Sequence, residues 1–453
     1  MKRVLSAAEY ADVLCALSLQ ERQEIASAIA EAVQAEGKDR NLFRLILLCG
    51  DSFMAELAAL TAEKLEAAGC KTQIACVEKG DDLPELKGAL VCDYLFSVDG
   101  VERNRPWIEA VKRANCPVIS IGIPAGVDPN TGEASSVALQ AVTTIAPVGY
   151  LKGLFLRDGL DHCGRILCLA PEAEEEELVR LEAEDAFRLL PPRKRTAHKG
   201  DSGKALLCVG SPKYVGAALL SARACLAAGC GILFVACPRA PREALHSLPE
   251  AIGVCVGEDW DERSCQKAME TLSGKQAIGI GCGVGDGDIA PLIETALRTR
   301  VPLVLDADGL NCLSRHLDLY GLLHEKVILT PHPGEMGRLL EISSCDVLAD
   351  PIQTAKSFAQ RWGCVVLLKG AATVVSDGRR TRIVAEGNAG LGKGGSGDVL
   401  TGIITGLLAQ GVEPFDAACV GSFLLGISAD RAYALLKERM LRASNVIEAL
   451  EMI

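Results

Sequence analysis

Strand-like apolar runs alternate with helix-like amphipathic runs twice along this chain. The first series opens with the apolar run "LFRLILLCG" at residues 42–50, and the helix-like run "AELAALTAEKLEAAG" at residues 55–69 follows it. The runs "TQIACV", "GALVCDYLFSV" and "CPVISIGIP" predict further strands, with a helix-like "PWIEAVKRAN" between the last two. This βαβ order predicts a parallel sheet with helices on both faces.

The second series begins at "KALLCVGS" and ends with two helix-like segments, "GDVLTGIITGLLAQG" and "FDAACVGSFLLGISADRAYALLKE". Between the two series lies the acidic run of residues 172–190, which predicts a solvated helix that stops at a double proline. We place a domain boundary near Pro191. The fold class is therefore α/β, with a Rossmann-like three-layer αβα domain over residues 1–190 and a second αβα domain over residues 191–453.

The composition limits the possible partners. The chain has 453 residues, a length typical of two or three domains. Of these residues, 49% are apolar and 23% are charged, as in soluble globular proteins. Aromatic residues make up 4% and the formal net charge is -12, so we expect no nucleic-acid partner. A single nucleotide is still compatible, since backbone amides and one or two lysines can hold it.

The cysteines and the N-terminus indicate a compartment. The 19 cysteines contain no C-x-x-C pair, and we interpret them as small buried hydrophobic residues, with metal ligation or disulfides as the alternatives. The first 26 residues lack a sustained apolar core, so we expect no signal peptide. No apolar stretch approaches about 18 residues, so we expect no membrane partner. A reducing, cytoplasmic location fits best.

The glycine-rich stretch "GNAGLGKGGSGDVLTG" ends in a helix-like run. The N–H groups of Gly395, Ser396 and Gly397 would lie at a helix N-terminus, where unpaired donors and the helix dipole favour an anion. Asp398, at the start of the helix, could take a proton from a hydroxyl that attacks phosphorus. The alternative is a glycine-rich turn with Asp398 as an ordinary cap. Lys393 has no assigned role.

Other polar residues follow strand-like runs in the same half. Asp306 and Asp308 follow one run, His332 and Glu335 another, and Lys369 and Thr373 flank a strand–turn–strand step. Ligands of open α/β sheets bind outside the carboxyl ends of the strands. These segments therefore predict one composite site.

From about residue 198 onward, the chain resembles the ribokinase-like dehydratases that repair hydrated NADH and NADPH. The resemblance rests on "GSPKYVGAALLSARACLAAG", "GIGCGVG", "DADGLN", "LTPHPGE", "LLKGAATVV" and the glycine-rich stretch, all in the family's order. It implies a ribokinase-like domain that transfers a phosphoryl group from ADP or ATP to the C6 hydroxyl of the (6S) hydrate. Elimination then restores the nicotinamide ring.

The resemblance also implies roles for individual residues. Asp398 would be the base, with Gly395, Ser396 and Gly397 around the transferred group. The hydrate would contact Ala217, a glycine of "GCGVG" (Gly283 or Gly285), His332 and Asp398. The nucleotide would contact Lys369, Gly370, Ala371, Ala372, Thr373 and Gly397. Mg²⁺ could be held through water by Asp306, Asp308 and Glu335, although hydrogen bonding to loop backbone is an equal alternative for these acids.

The N-terminal half resembles the epimerase that accompanies this dehydratase in bifunctional bacterial proteins. The segments "CDYLFSVDG", "CPVISIGIPAGVDPNTGE" and "AVTTIAPVGYLKGLFLRDG" fall in the right order. The family's Asn-Asn-Gly-Gly-Asp-Gly loop is missing, its catalytic aspartate is replaced by Gly122 and its serine by Ala125. Asp93 matches an acidic position linked to K⁺. Because glycine cannot act as a base, we expect a scaffold or interaction domain without epimerase activity.

Two rival functions remain at this stage. A ribokinase-like kinase of a small alcohol or vitamin precursor would need the same glycine loop. A non-catalytic nucleotide sensor would not need Asp398, His332 and Lys369 together. We expect a homo-oligomer, and the sequence leaves the choice between ADP and ATP open.

Overall fold

The computed structural model describes residues 1–39, 44–50, 52–95, 101–173, 178–193, 195–196, 198–436 and 438–453. The chain divides into two compact units, Met1–Val179 and Arg180–Ile453. The division falls about eleven residues before the boundary expected near Pro191. Each unit is an α/β structure, as the alternating pattern predicted.

The N-terminal unit is built on a parallel sheet. Its six strands run in the order β3-β2-β4-β5-β6-β8, and every neighbouring pair is parallel. Strands β1 and β7 lie outside these six and pair with each other in parallel. The strands are β1 (Lys2–Leu5), β2 (Arg44–Cys49), β3 (Lys71–Cys76), β4 (Leu90–Tyr94), β5 (Val118–Ile121), β6 (Thr143–Ala146), β7 (Tyr150–Leu151) and β8 (Arg165–Cys168), and the helices are α1 (Ala7–Ala16), α2 (Leu19–Asp39), α3 (Ser52–Ala67), α4 (Val101–Ala114) and α5 (Gly159–Cys163).

Most strands of the C-terminal unit are also parallel. The short strand β9 lies at the division of the chain. The later strands lie side by side in the order β12-β11-β10-β13-β14-β15-β16, and the antiparallel β17 and β18 follow β16 in the sheet. The strands are β9 (Leu178–Arg180), β10 (Lys204–Cys208), β11 (Ile232–Cys237), β12 (Ala251–Cys255), β13 (Ala277–Ile280), β14 (Leu303–Leu305), β15 (Val327–Leu329), β16 (Val365–Leu368), β17 (Thr373–Ser376) and β18 (Thr381–Val384).

Most helices of this unit connect successive strands, and the last three follow the last strand. They are α6 (Ala183–Arg188), α7 (Val215–Ala227), α8 (Arg239–Ala244), α9 (Glu262–Glu270), α10 (Ala290–Thr299), α11 (Asp308–Arg315), α12 (Pro333–Leu340), α13 (Ser344–Ala349), α14 (Pro351–Trp362), α15 (Ser396–Ala409), α16 (Pro414–Leu436) and α17 (Ala443–Leu450). The central strands are short apolar runs buried on both faces, which is the pattern of a parallel sheet between helix layers.

Helix α15 packs closely on α7 because glycines replace side chains at the contact. A Cβ atom at Gly402 would overlap the carbonyl oxygen of Ser221, and one at Gly406 would lie 2.6 Å from that of Cys225. Every residue of α15 from Val399 to the C-terminal end is buried. The N-terminus of α15 is thereby fixed against the edge of the sheet.

The acidic run at residues 172–190 was predicted wrongly as one solvated helix. Its described part contains the short strand β9 and the six-residue α6. Leu181 and Ala186 are 0% exposed, so apolar positions within the run pack inside the fold and override the helical charge pattern. Residues 174–177 of the run lie outside the described residues.

Two composition-based expectations meet the structure here. All nineteen cysteines are free thiols, most of them buried, as expected for small hydrophobic residues. The expectation that no apolar stretch approaches the length of a membrane span was wrong, because α16 is 23 residues long and, by length and composition, apolar enough to cross a membrane. Most of α16 is buried inside the protein, and the core helix of a soluble protein can have the same length and composition.

Candidate active site at the carboxyl ends of the C-terminal sheet

The polar segments singled out in the sequence follow four neighbouring strands. Residues 281–285 follow β13, Asp306 follows β14, His332 comes shortly after β15, and Lys369 follows β16. These strands are adjacent and parallel, so their carboxyl ends share one edge of the sheet. The structure therefore brings these segments together.

An ion pair lies at the centre of this edge. The Nζ atom of Lys369 is 2.8 Å from Oδ1 of Asp306, whose side chain is only 1% exposed. The hydroxyl of Thr401 donates to Oδ2 of Asp306 at 2.9 Å, and the N–H of Ala307 donates to Oδ1 at 2.9 Å. Both carboxylate oxygens are thus satisfied, as a buried charge requires.

Lys369 is held in its charged form by a second carboxylate. Its Nζ atom lies 3.6 Å from Oε2 of Glu335. Burial alone would lower the pKa of Lys369, but the carboxylates of Asp306 and Glu335 raise it above its usual range. The site therefore keeps one fixed positive charge beside two acidic groups.

Asp398 is the third residue of α15 and faces this ion pair. Burial raises its pKa to about 6, the charge of Asp306 adds to the increase, and the Cys282 thiol and the charge of Lys369 act against it. A carboxylate with such a pKa is ionised at neutral pH and still basic enough to accept a proton. The environment of Asp398 suits general-base chemistry.

The glycines before Asp398 form the N-terminus of α15. Gly395 is the N-cap residue with a left-handed φ of 99°, and no side chain among the described residues caps the helix there. A Cβ atom at Gly397 would lie 3.2 Å from Oδ2 of Asp306 and 3.8 Å from Nζ of Lys369. Gly397 keeps this space free, and backbone donors beside it can approach an anion.

The side chain of Lys393 ties the glycine loop to the segment before α17. Its Nζ atom donates to the backbone carbonyls of Arg439 and Leu441, each at 2.7 Å. The sequence left this residue without a role, and these contacts give it a structural one. Gly394, next to it, is exposed.

His332 is the N-cap residue of α12. Its Nδ1 atom accepts from the N–H of Gly334 at 3.0 Å, and Oε2 of Glu335 accepts from the N–H of His332 at 2.8 Å. Because Nδ1 is an acceptor, the neutral ring carries its proton on Nε2. The side chain is 51% exposed, and Nε2 lies 3.5 Å from Oε1 of Glu335. That distance is too long for a good hydrogen bond, so this N–H donor is available to a ligand.

Two of the predicted hydrate contacts, Ala217 on α7 and Gly283 after β13, lie together. A Cβ atom at Gly283 would be 2.6 Å from Cβ of Ala217, so these two residues are in direct contact. Oδ2 of Asp308 accepts from the N–H of Gly285 at 2.7 Å. This bond fixes the glycine loop after β13 to the start of α11.

Sequence reasoning missed three residues of the site. Thr401 binds Asp306, and the Cys282 thiol adjoins Asp306 and Asp398. Tyr214 is 43% exposed at the N-terminus of α7 and adjoins Gly283. Thr401 lies one helical turn after Asp398 and Cys282 lies inside "GCGVG", so spacing could have indicated both.

The predicted nucleotide segment forms the turn between β16 and β17. Gly370 and Ala371 are exposed, Ala372 is buried, and Thr373 is half-buried. The side chain of Lys369 points away from this turn into the ion pair. The turn therefore offers mainly backbone groups to a ligand.

The N-terminal unit carries the remaining predicted positions. Asp93 is 0% exposed, and its carboxylate accepts from the hydroxyl of Ser120 at 2.8 Å and from the N–H groups of Leu95 and Ala125. A Cβ atom at Gly122 would lie 3.3 Å from the hydroxyl of Tyr10. Asp51 and residues 96–100, part of the epimerase-like pattern, lie outside the described residues.

Family models match both halves of the chain. Residues 205–451 match the family described as NAD(P)H-hydrate dehydratase, and residues 23–153 match the one described as YjeF-related protein N-terminus. The chain therefore belongs to the NAD(P)H-hydrate dehydratase family, and it carries the second domain as well. The resemblance inferred from the sequence motifs is confirmed.

Individual relatives agree with this assignment. The bifunctional NAD(P)H-hydrate repair enzyme of Moorella thermoacetica is 33% identical over 394 residues, which cover 82% of this chain and 73% of that protein. The enzyme of the same name from Vibrio cholerae is 31% identical, over 81% of this chain and 74% of that protein.

Solved structures confirm the ribokinase-like fold of the C-terminal unit. The ADP/ATP-dependent NAD(P)H-hydrate dehydratase of Bacillus subtilis, co-crystallised with ATP and Mg²⁺, is 28% identical with a TM-score of 0.52, covering 59% of this chain and 95% of that one. A ribokinase-like protein of Enterococcus faecalis is 23% identical with a TM-score of 0.54, covering 62% and 97% of the two chains.

Proposed function

We propose that the C-terminal unit uses ADP or ATP to dehydrate the (6S) hydrate of NADH or NADPH. The observation that carries this proposal is the position of Asp398, a carboxylate with a raised pKa at an uncapped helix N-terminus and beside the Lys369–Asp306 pair. Membership of the dehydratase family supplies the substrate class. The reaction is a metabolite repair, classed as a lyase.

Asp398 would remove the proton of the C6 hydroxyl as the oxygen attacks the terminal phosphorus of the nucleotide. A new bond forms between the C6 oxygen and the terminal phosphorus. The bond between that phosphorus and the bridging oxygen breaks, and the nucleotide leaves one phosphate shorter. Charge on the moving group faces the N-terminus of α15, where the backbone N–H groups of Gly395 and Gly397 would stabilise it. The N–H of Ser396 donates to the carbonyl oxygen of Lys393 at 3.4 Å and would have to leave that bond to join them. Phosphate then leaves C6 with a proton from the neighbouring ring carbon, which restores the reduced nicotinamide.

Binding roles follow the same geometry. We assign Ala217, the glycines after β13 and His332 to the hydrate, and His332 would donate through Nε2. We add Tyr214, because its exposed ring lies beside Gly285, where a Cβ atom would be 3.9 Å from Cε2 of the ring, and offers a surface to a planar ring. The nucleotide would lie on the backbone of the turn between β16 and β17 and on Gly397.

Magnesium fits one of the three candidate acids better than the others. Asp306 is buried and already paired with Lys369, and Glu335 adjoins the same lysine. Asp308 is half-buried, and a hydrated Mg²⁺ needs only one or two carboxylates. We assign Asp308, acting through water, as the main Mg²⁺ ligand, where the ion would neutralise phosphate charge.

The N-terminal unit is proposed to lack epimerase activity. Position 122 has no side chain to act as a base, and the space where a Cβ would lie faces Tyr10. The oxygens of Asp93 already accept three hydrogen bonds from the protein, so a K⁺ site there gains no support from these contacts. We propose a scaffold role in a cytoplasmic homo-oligomer, which light scattering of the purified protein would test.

Product identity separates this function from the rival kinase. The protein would be incubated with hydrated NADH, or with a small alcohol such as a thiazole alcohol, together with Mg²⁺ and either ADP or ATP. We expect the nicotinamide absorbance to return with the hydrate and no phosphorylated alcohol to accumulate. A stable phosphorylated alcohol without recovery of NADH would favour the kinase, and binding of nucleotide without either product would favour a sensor.

A further inference from the structure

A second group of potential ligands lies at the opposite end of α11 from Asp308. Asp288, Cys312 and His316 bring one ligand atom each to within 4.8 Å of one another. Cys312 lies on α11 and His316 immediately follows it, so the spacing of i and i+4 places both on one helix face. Asp288 comes from the loop before α10. None of these residues belongs to the proposed active site.

The spacing of these atoms matches that of ligands on one metal ion. Oδ1 of Asp288 is 3.5 Å from Nε2 of His316, and it accepts hydrogen bonds from the Cys312 thiol at 3.6 Å and from the N–H of Ala290 at 3.0 Å. A good N–H···O hydrogen bond would bring the first pair to about 2.7–3.2 Å. Ligands on one tetrahedral Zn²⁺, at the usual bond lengths, lie about 3.3–3.6 Å apart.

The donor set selects the class of metal. A thiolate, an imidazole and a carboxylate suit Zn²⁺ or Co²⁺, whereas Mg²⁺ and Ca²⁺ prefer oxygen ligands alone. These three side chains leave one position of a tetrahedral ion for a water molecule.

The cluster is also accessible to an ion from solution. The side chains of Asp288 and His316 are 66% and 33% exposed, while Cys312 is 0% exposed. A metal can approach from the side of the two exposed ligands and reach the buried sulfur behind them. From this arrangement we propose that Asp288, Cys312 and His316 form a site for a divalent metal of the Zn²⁺ class, separate from the dehydratase site.

Cobalt binding tests the proposal directly on the full chain. Purified, metal-stripped protein would be titrated with Co²⁺, and the sulfur-to-cobalt charge-transfer and ligand-field absorption would be recorded. We expect one tight tetrahedral equivalent in the wild type. His316→Ala should weaken its binding by about tenfold or more, and Cys312→Ser should remove the charge-transfer band.

Matched variants separate this site from the other cysteines. His246→Ala and Cys345→Ser alter exposed residues elsewhere, and both should keep the tight equivalent. Far-ultraviolet circular dichroism would verify that each variant is folded, and Asp288→Asn offers a milder change at an exposed ligand. The proposal fails if the wild type shows no tight tetrahedral cobalt, or if His316→Ala and Asp288→Asn bind it as the wild type does.

Discussion

At the scale of single residues, the proposed site depends on how one lysine, Lys369, interacts with three acids at one edge of the sheet, Asp306, Glu335 and Asp398. Asp306 is neutralised by Lys369, and this leaves Asp398 as the carboxylate whose pKa is raised. The sequence indicated Asp398, Asp306 and Lys369 as site residues, but it could not show which acid the lysine pairs with. That pairing depends on the order of strands in the sheet, which periodicity does not encode.

Activity should depend on the ionisation of Asp398. Its pKa is raised to about 6, so below that pH the carboxyl is protonated and cannot accept the hydroxyl proton. If Asp398 is the base, kcat/KM should fall roughly tenfold per pH unit below this pKa and stay constant above it. Initial rates of NADH formation between pH 5 and 8 would measure this, and a flat profile down to pH 5 would contradict the assignment.

Removal of the lysine charge should destabilise the protein. Lys369→Met leaves Asp306 buried and unpaired, and such a loss costs about 3–5 kcal/mol. Urea unfolding of the wild type and the variant would measure the change. The double variant Lys369→Met, Asp306→Asn should recover part of it, since a neutral amide replaces the stranded charge. Equal stabilities of the wild type and Lys369→Met would contradict a structural role for the pair.

At the scale of elements, the position of α15 decides where the anion site lies. The helix was predicted from its apolar pattern, and the structure contains it over Ser396–Ala409. The close packing on α7 through Gly402 and Gly406 was not predicted, because a glycine in a helix-like run has no side chain to reveal its neighbour. The prediction of one solvated helix over residues 172–190 was wrong for a related reason, since burial of apolar residues in the fold outweighed the charge pattern.

A methyl group at Gly402 should separate the two helices. Alanine normally stabilises a helix interior by about 1 kcal/mol over glycine, but here its Cβ would overlap the carbonyl oxygen of Ser221. A backbone oxygen cannot move aside, so we expect a net loss of about 1–3 kcal/mol for Gly402→Ala. Thermal unfolding would measure it.

Gly394→Ala is the matched control for that substitution. A Cβ atom there would meet nothing within 4 Å, so this variant should unfold as the wild type does. A stabilised Gly402→Ala would show that helix propensity outweighs the overlap and that the packing contact is softer than the structure indicates.

At the scale of the whole molecule, the N-terminal unit carries the match to the YjeF-related N-terminus, and the C-terminal unit carries the match to the dehydratase family. The C-terminal unit assembles the acids, the lysine and the glycine loop at one edge. The N-terminal unit has Gly122 where the resemblance implies a catalytic aspartate. The sequence was sufficient to predict the fold of both units, because apolar runs of alternating period and ordered motifs are read directly from it. The inactivity of the N-terminal unit stays a prediction.

We expect the whole chain to leave the (6R) hydrate unchanged. The Asp398→Asn protein would be incubated with pure (6R) NADH hydrate, so that dehydration does not remove either epimer. The epimer ratio, followed by chromatography, should change no faster than in a protein-free blank. Faster exchange than the blank would show that another residue of the N-terminal unit supplies the base.

The most direct test of the account is the stoichiometry of the repair reaction. Wild-type protein and the Asp398→Asn variant would be given pure (6S) NADH hydrate, Mg²⁺ and ADP or ATP, and both NADH and inorganic phosphate would be measured. The account predicts equal amounts of NADH and phosphate from the wild type, only with nucleotide, and a rate lower by about 10²–10⁴ for Asp398→Asn. A stable phosphorylated hydrate without NADH, or full turnover by Asp398→Asn, would contradict it.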